Sequence, residues 1–162
     1  MLALRAAKTV GCDIPAECID KAVVYVKKCG VPGGEGFGYQ PGDGSTAVRA
    51  GTGILCLEIC GEHHSREALG GANYLVRRPL QPRDGFFFYG VYYCTVGMFQ
   101  IGGQHWDVLR DHLEPMVLGL QLPDGSWRVQ QQDEARGGTI YCTSLAVLAL
   151  AVEYQYLPIY QR

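Results

Sequence analysis

Hydrophobic positions along the chain follow two kinds of helical pattern that alternate. In the first kind, apolar side chains recur at helical spacing on one face and charged side chains occupy the other. The second kind is apolar on nearly every side, so such a helix must be covered by neighbours on most of its surface. The amphipathic stretches are residues 15–29, 66–78 and 106–120. The apolar stretches are residues 45–60, 86–101 and 140–152. The pattern predicts an all-α protein with two layers of helices.

The same unit recurs three times. Each apolar stretch follows a turn that joins glycine to an aromatic residue, namely Gly36-Phe37, Gly85-Phe86 and Gly125-Ser126-Trp127. When the apolar helices are aligned, 45 residues separate Ala50 from Thr95 and 48 separate Thr95 from Thr143. A period of this length built from two helices is typical of repeat architectures. The predicted repeats cover about residues 16–61, 65–103 and 104–153.

Alternation of covered and half-exposed helices favours a particular repeat fold. A simple solenoid usually has two amphipathic helices in each repeat. Here one series is apolar all round, as an inner ring inside an outer ring requires. We therefore expect a partial α/α toroid, and three repeats would close about half of a six-repeat ring.

The turn before the last apolar helix carries the most distinctive motif. Residues 121–127 read QLPDGSW, which resembles the QW motif of squalene and oxidosqualene cyclases and of protein prenyltransferase β subunits. In those proteins the Gln and Trp tie the loop between an outer and an inner helix. The resemblance implies that Gln121, Asp124, Gly125 and Trp127 form a structural repeat motif.

All 162 residues are similar to the prenyltransferase/squalene-oxidase repeat family, which is terpene cyclase-like. The most similar members are bacterial repeat proteins of unassigned activity. The resemblance implies one domain over residues 1–162, the C-terminal part of a bacterial squalene cyclase-like repeat protein. The abrupt helical start at residues 1–10 also suggests that the chain is a fragment.

Catalytic motifs of these relatives are missing from the sequence. Squalene-hopene-type cyclases protonate an alkene with an Asp-x-Asp-Asp motif, and the nearest acidic pair here is Asp133-Glu134 in a Gln-rich loop. Adjacent charged residues normally stay solvated, so we expect this loop to be exposed. The glycine-rich stretch 30–44 lacks the Gly-Lys-Ser/Thr sequence of a phosphate-binding loop and is interpreted as a structural turn.

The zinc ligands of protein prenyltransferases are also replaced. At the matching positions Gly90, Tyr92 and Gly138 stand where those enzymes carry Asp, Cys and His. Catalytic zinc normally takes three protein ligands, so no metal or other cofactor is predicted. A different soft-metal site at Cys94 and Cys142 is an alternative, although buried core thiols are favoured.

Aromatic residues are the best remaining indication of a ligand. Tyr89, Tyr92, Tyr93 and Tyr141 lie at the starts of two apolar helices. In cyclases, aromatic walls stabilise cationic intermediates. The four tyrosines are therefore candidate ligand-binding residues. Packing within the core is the alternative interpretation, and the favoured one.

Composition and charge limit the classes of partner and the compartment that we expect. The formal net charge is −2 and no basic run occurs, which argues against nucleic acid. No stretch is long enough to span a membrane, and the N-terminus lacks the pattern of a signal peptide. The odd number of cysteines, seven, favours a reducing, cytoplasmic compartment.

Two functions are compatible with these observations. The first is a repeat domain that has no recognisable catalytic motif and binds a hydrophobic, isoprenoid-like molecule or a protein partner. We expect this chain alone not to be an enzyme. The alternative is an isoprenoid-processing enzyme, squalene cyclase-like or prenyltransferase-like, whose acidic residues lie in other sequence or in a partner half-ring. Self-association of two half-rings, completing one toroid, is a further expectation.

Overall fold

The computed structural model of the chain describes residues 1–154. Within that range the chain forms seven α-helices and no β-strand. The helices are α1 (Leu2–Thr9), α2 (Ala16–Lys28), α3 (Ala47–Ile59), α4 (Arg66–Arg77), α5 (Phe87–Ile101), α6 (Gly103–Gly119) and α7 (Gly138–Leu150). Two 3-10 helices are Gln132–Glu134 and Val152–Tyr154. The predicted all-α architecture is confirmed. The domain was predicted to span residues 1–162, and its last eight residues lie outside the described range.

Two apolar helices form the centre of the structure. α3 packs most extensively against α5, and α5 also contacts α7 on its other side. The amphipathic helices α2 and α4 pack against α3, and α6 packs against α5. Most residues of α3 and α5 are buried, as helices with apolar residues on all sides require.

Glycines bring α3 and α5 unusually close. A Cβ atom on Gly51 would lie 2.7 Å from the Cα atom of Cys94. On the facing side, a Cβ atom on Gly97 would lie 3.0 Å from the carbonyl oxygen of Gly51. The two backbones are therefore in direct contact, so the interface has no room for larger residues.

Replacement of Gly51 by Ala is expected to lower the free energy of unfolding by about 2 kcal/mol, because overpacking against backbone forces the helices apart. The matched control is Gly119→Ala at the end of α6, where a Cβ atom would meet nothing within 4 Å. That change should stabilise the helix by up to about 1 kcal/mol. Urea denaturation measures both. Equal effects of the two substitutions would contradict the close packing of α3 on α5.

Side-chain caps begin two helices. Ser65 caps α4, where its Oγ accepts a hydrogen bond from the Ala68 amide at 3.4 Å. Ser45 is a residue type that often caps helices, yet it does not cap α3. The Thr46 hydroxyl accepts from the Arg49 amide at 3.3 Å, whereas the Ser45 hydroxyl donates to the Glu35 carbonyl in the preceding loop.

α7 is less buried than its sequence predicts. Only Cys142, Ala146 and Ala149 of this helix are buried. Ile140 is 83% exposed and Val147 is 50% exposed. The expectation of a helix covered on all sides is wrong here, because α5 covers one flank and no described helix covers the other.

Within residues 1–154, no helix combines the length and the apolar character needed to cross a membrane.

Candidate ligand-binding cleft

A large open cleft lies at the N-terminal ends of the apolar helices. Its volume is about 1410 Å³. The wall is formed by one side of α3, the first turns of α5 and α7, the C-terminal parts of α2 and α4, and the loops that precede α3 and α5. The aromatic residues in the wall include Tyr25, Tyr39, Tyr74, Phe86, Tyr89 and Tyr141.

The glycine-rich turn before α3 supplies part of the wall through Phe37. This side chain is buried, and its ring lies so close to α3 that a Cβ atom on Gly53 would come within 2.4 Å of it. Gly36 has a φ of 86°, a left-handed conformation that favours glycine. The glycines of this loop therefore shape the turn and let an aromatic ring lie directly against a helix backbone.

The four candidate tyrosines separate into two groups. Tyr89 and Tyr141 line the cleft. Tyr93 lies behind Tyr89, with ring centroids 4.2 Å apart. Tyr92 packs among buried apolar residues that include Leu55 and Val96, and it is not part of the cleft wall. Successive positions on a helix point in different directions, so neighbours in sequence differ in role.

Burial governs the acidity of the groups in and beside the wall. Removal from water, with the Glu134 carboxylate next in importance, raises the pKa of Tyr141 to about 12. Burial raises the pKa of the Cys56 thiol, which lines the cleft, to about 11. Tyr141 and Cys56 are therefore neutral near pH 7. They present uncharged surfaces to the cleft.

The charged residues of the wall are Arg49, Arg78, Arg83, Asp84 and Asp133. Arg78 lies over the Tyr74 ring at 5.9 Å, and Arg49 lies over the Tyr39 ring at 5.7 Å. The Asp84 carboxylate accepts a hydrogen bond from the Gln81 amide at 2.8 Å within its own turn. Arg49, Arg78 and Asp84 are thus engaged with neighbouring groups, and most of the wall is aromatic or apolar.

Glu134 supports the cleft in a way that the sequence does not indicate. Its side chain is 3% exposed, and its two oxygens accept hydrogen bonds from the amides of Phe88 at 3.1 Å and Tyr89 at 2.9 Å. A carboxylate at this position satisfies amides at the start of α5 and interacts favourably with the helix dipole. The expectation of a solvated loop is wrong for Glu134 and correct for Asp133, which is exposed. No local pattern distinguishes the two residues.

The turn at residues 121–127 joins α6 to α7. Trp127 is buried, its indole nitrogen donates to the Val117 carbonyl at 2.7 Å, and its amide donates to the Thr143 hydroxyl at 3.1 Å. The Gln121 side chain donates to the Gly125 carbonyl at 3.0 Å. Trp127 therefore contacts an outer and an inner helix at once. The turn before α3 has a similar backbone pairing. Gly30 and Phe37 form an isolated antiparallel β-bridge, as Gln121 and Trp127 do in the turn before α7.

Asp124 completes this turn. Its carboxylate accepts hydrogen bonds from the Ser126 amide at 3.0 Å and from the Ser126 hydroxyl at 2.7 Å. These hydrogen bonds to the charged form lower the pKa of Asp124. Gly125 has a φ of 84°, so the tight turn itself requires glycine.

The middle turn differs from the other two. Phe86 was aligned with Phe37 and Trp127, yet it is 51% exposed and has a φ of 55°. Its neighbours Phe87 and Phe88 are buried instead. Phe86 thus extends to the cleft, while the apolar anchor of this turn shifts to the following residues.

No group of three His, Cys, Asp or Glu side chains within residues 1–154 is arranged to hold a metal ion. Cys94 and Cys142, the alternative soft-metal pair, are both buried. Burial raises the pKa of Cys94 to about 12 and that of Cys142 to about 11. Both thiols are therefore protonated near pH 7 in the metal-free protein.

Comparison with known proteins agrees with this architecture. The family model of the prenyltransferase alpha-alpha toroid domain matches residues 2–87 and 89–158. No curated protein and no solved structure matches the chain. The family match covers nearly the whole chain, and it confirms the α/α toroid predicted from alternating helices. The chain belongs to the prenyltransferase alpha-alpha toroid domain family.

Proposed function

We propose that this chain binds a hydrophobic, isoprenoid-like molecule in the cleft and does not itself carry out catalysis. The observation that carries the proposal is the cleft of about 1410 Å³ with aromatic side chains along its wall. Ordinary small-molecule pockets occupy about 300–1,000 Å³, so a long hydrocarbon chain suits this space better than a compact ligand. We also propose that the chain is squalene cyclase-like and that residues 121–127 form a QW-type motif.

Exposed aromatic rings support binding over simple core packing. Tyr25 and Phe86 are about half exposed at the cleft, and Tyr39 is more exposed still. Contiguous apolar surface that remains open to water usually marks an interaction site. The tyrosine and cysteine side chains of the cleft wall are uncharged, so they favour a ligand that has little charge along its length.

The proposal is tested by isothermal titration calorimetry with farnesol, an uncharged isoprenoid alcohol. We expect Tyr89→Ala and Tyr141→Ala each to weaken binding about fivefold to tenfold, because each removes an aromatic contact worth about 1–1.5 kcal/mol. The matched control is Tyr154→Ala, since Tyr154 is exposed and lies outside the cleft wall. Circular dichroism establishes that each variant is folded.

Three results would contradict the proposal. The wild-type protein would fail to bind farnesol, Tyr154→Ala would weaken binding as much as the cleft variants, or bound farnesol would be converted to a product. Mass spectrometry of the ligand recovered after incubation detects conversion, which would favour the isoprenoid-processing enzyme instead.

A further inference from the structure

One face of α7 is apolar, uncharged and open to water. Its residues are Ile140, Ser144, Val147 and Leu148, here named the open face. Ile140 is 83%, Val147 50% and Leu148 38% exposed, and Ser144 is also exposed. Their spacing places them along one side of the helix, about one turn apart.

The corresponding surfaces of the other inner helices are covered. Ala47, Gly51 and Ile54 of α3 are buried under α5. There the Cys94 thiol donates to the Ala47 carbonyl at 3.3 Å, and Gly51 contacts the α5 backbone. α5 is likewise flanked by α3 and α7. α5 therefore has an inner helix on both flanks, and the open face is the flank of α7 that has none among the described residues.

Charges at the two ends of α7 have opposite signs. Arg136, which is exposed, lies just before the helix, and the side chain of Glu153, 52% exposed, lies just after it. Glu153 also lies 3.6 Å from Arg110, a distance typical of a weak surface ion pair. A second α7 packed antiparallel on the first brings each Arg136 near the opposite end of its partner. The helix dipoles are also favourably opposed in that arrangement.

We propose that the open face binds the open face of a second copy of this chain, as an antiparallel, two-fold symmetric α7–α7 pair. Centred on Ser144, such a pair sets Ile140 against Leu148 of the partner subunit. The small Ser144 side chains lie at the axis, where they let the helices approach. Self-complementary two-fold contacts are the commonest kind in homodimers. The proposal goes beyond ligand binding and does not depend on it.

Ring closure, in which α7 packs on the far side of α3 of a second copy, is the rival arrangement. It would cover Arg49, whose guanidinium already donates to the Gly44 carbonyl at 3.3 Å. It would also meet α1, which packs against α3. The uncharged open face offers no partner for a buried cation, so the α7–α7 pair is the more favourable contact.

Sedimentation velocity over 1–100 µM protein tests the pair. We expect a dimer for the wild type, and at least a tenfold higher dimer dissociation constant for Val147→Lys. The control is Val10→Lys, the same substitution at an exposed valine next to α1, which should leave the dissociation constant unchanged. Arg136→Glu should weaken the dimer, and Arg136→Glu combined with Glu153→Arg should restore it.

Cross-linking identifies the geometry. In a background of Cys12→Ser and Cys18→Ser, which removes the exposed thiols, Ser144→Cys should form a disulfide between two copies at residue 144. Peptide mass spectrometry locates the bond. A monomeric wild type, or a dimer unaffected by Val147→Lys, would overturn the proposal. So would a dimer without the 144–144 disulfide, which would favour ring closure. None of these outcomes involves farnesol, so failure of the ligand proposal is recognised separately.

Discussion

Replacement of Trp127 by Ala should lower the free energy of unfolding by about 4 kcal/mol, the largest effect that we expect from a single side chain in this protein. Trp127 is 2% exposed and packs between α6 and α7. Removing the indole leaves a cavity at the junction of an outer and an inner helix. The Trp127 amide still donates to Thr143 in the variant, so the loss reports the side chain alone. Guanidinium denaturation measures it.

Two further variants separate packing from hydrogen bonding. Trp127→Phe keeps most of the ring but removes the bond to the Val117 carbonyl, and it should lose only about 1 kcal/mol. That carbonyl keeps a second donor, because the Leu120 amide lies 3.1 Å away. Trp106→Ala, at a half-buried indole that packs edge-on to Phe99, should lose less than Trp127→Ala. An equal loss at Trp106 would contradict the role of Trp127 as the principal anchor.

Glu134→Ala should lower the free energy of unfolding by about 3 kcal/mol. The change leaves the amides of Phe88 and Tyr89 without their acceptor at a buried helix start, and each unsatisfied amide costs about 1–3 kcal/mol. Thermal denaturation and urea denaturation should agree on the loss. Because Glu134 holds the backbone of Tyr89, farnesol binding should weaken as well.

The adjacent acid provides the control for Glu134. Asp133→Asn alters an exposed carboxylate and should change stability by less than about 0.5 kcal/mol. Glu134→Gln keeps one acceptor oxygen, so its loss of stability should lie between those of Asp133→Asn and Glu134→Ala. If Glu134→Ala were as stable as Asp133→Asn, the capping of α5 by this loop would be disproved.

Much of the fold follows from local patterns. The alternation of amphipathic and apolar helices predicts the two layers, and the spacing of glycine and proline places most helix ends within a few residues. Ser65 as a cap is a local feature too, because its hydroxyl bonds an amide three residues away. The cap of α3 is decided by a more distant contact, because Ser45 and Thr46 are both suitable residue types and the Ser45 hydroxyl donates to the carbonyl of Glu35, ten residues earlier in the chain.

The cleft depends on contacts that no local pattern contains. Tyr89 and Tyr92 are three residues apart on one helix, yet only Tyr89 lines the cleft. Both are aromatic residues in an apolar stretch, so periodicity alone assigns them the same role. Their difference is decided by which neighbour covers each side of α5.

The sequence by itself determined that this protein is all-α, built from repeats, and that residues 121–127 form a tight turn with an aromatic anchor. These properties depend on helical periodicity and on conformational preferences of glycine, which act over a few residues. Only the tertiary structure decided that Glu134 is buried against α5, and that α7 keeps an open face. Burial depends on neighbours that come together from distant parts of the chain. The sequence of a helix that is apolar on every side does not indicate which side its neighbours leave exposed.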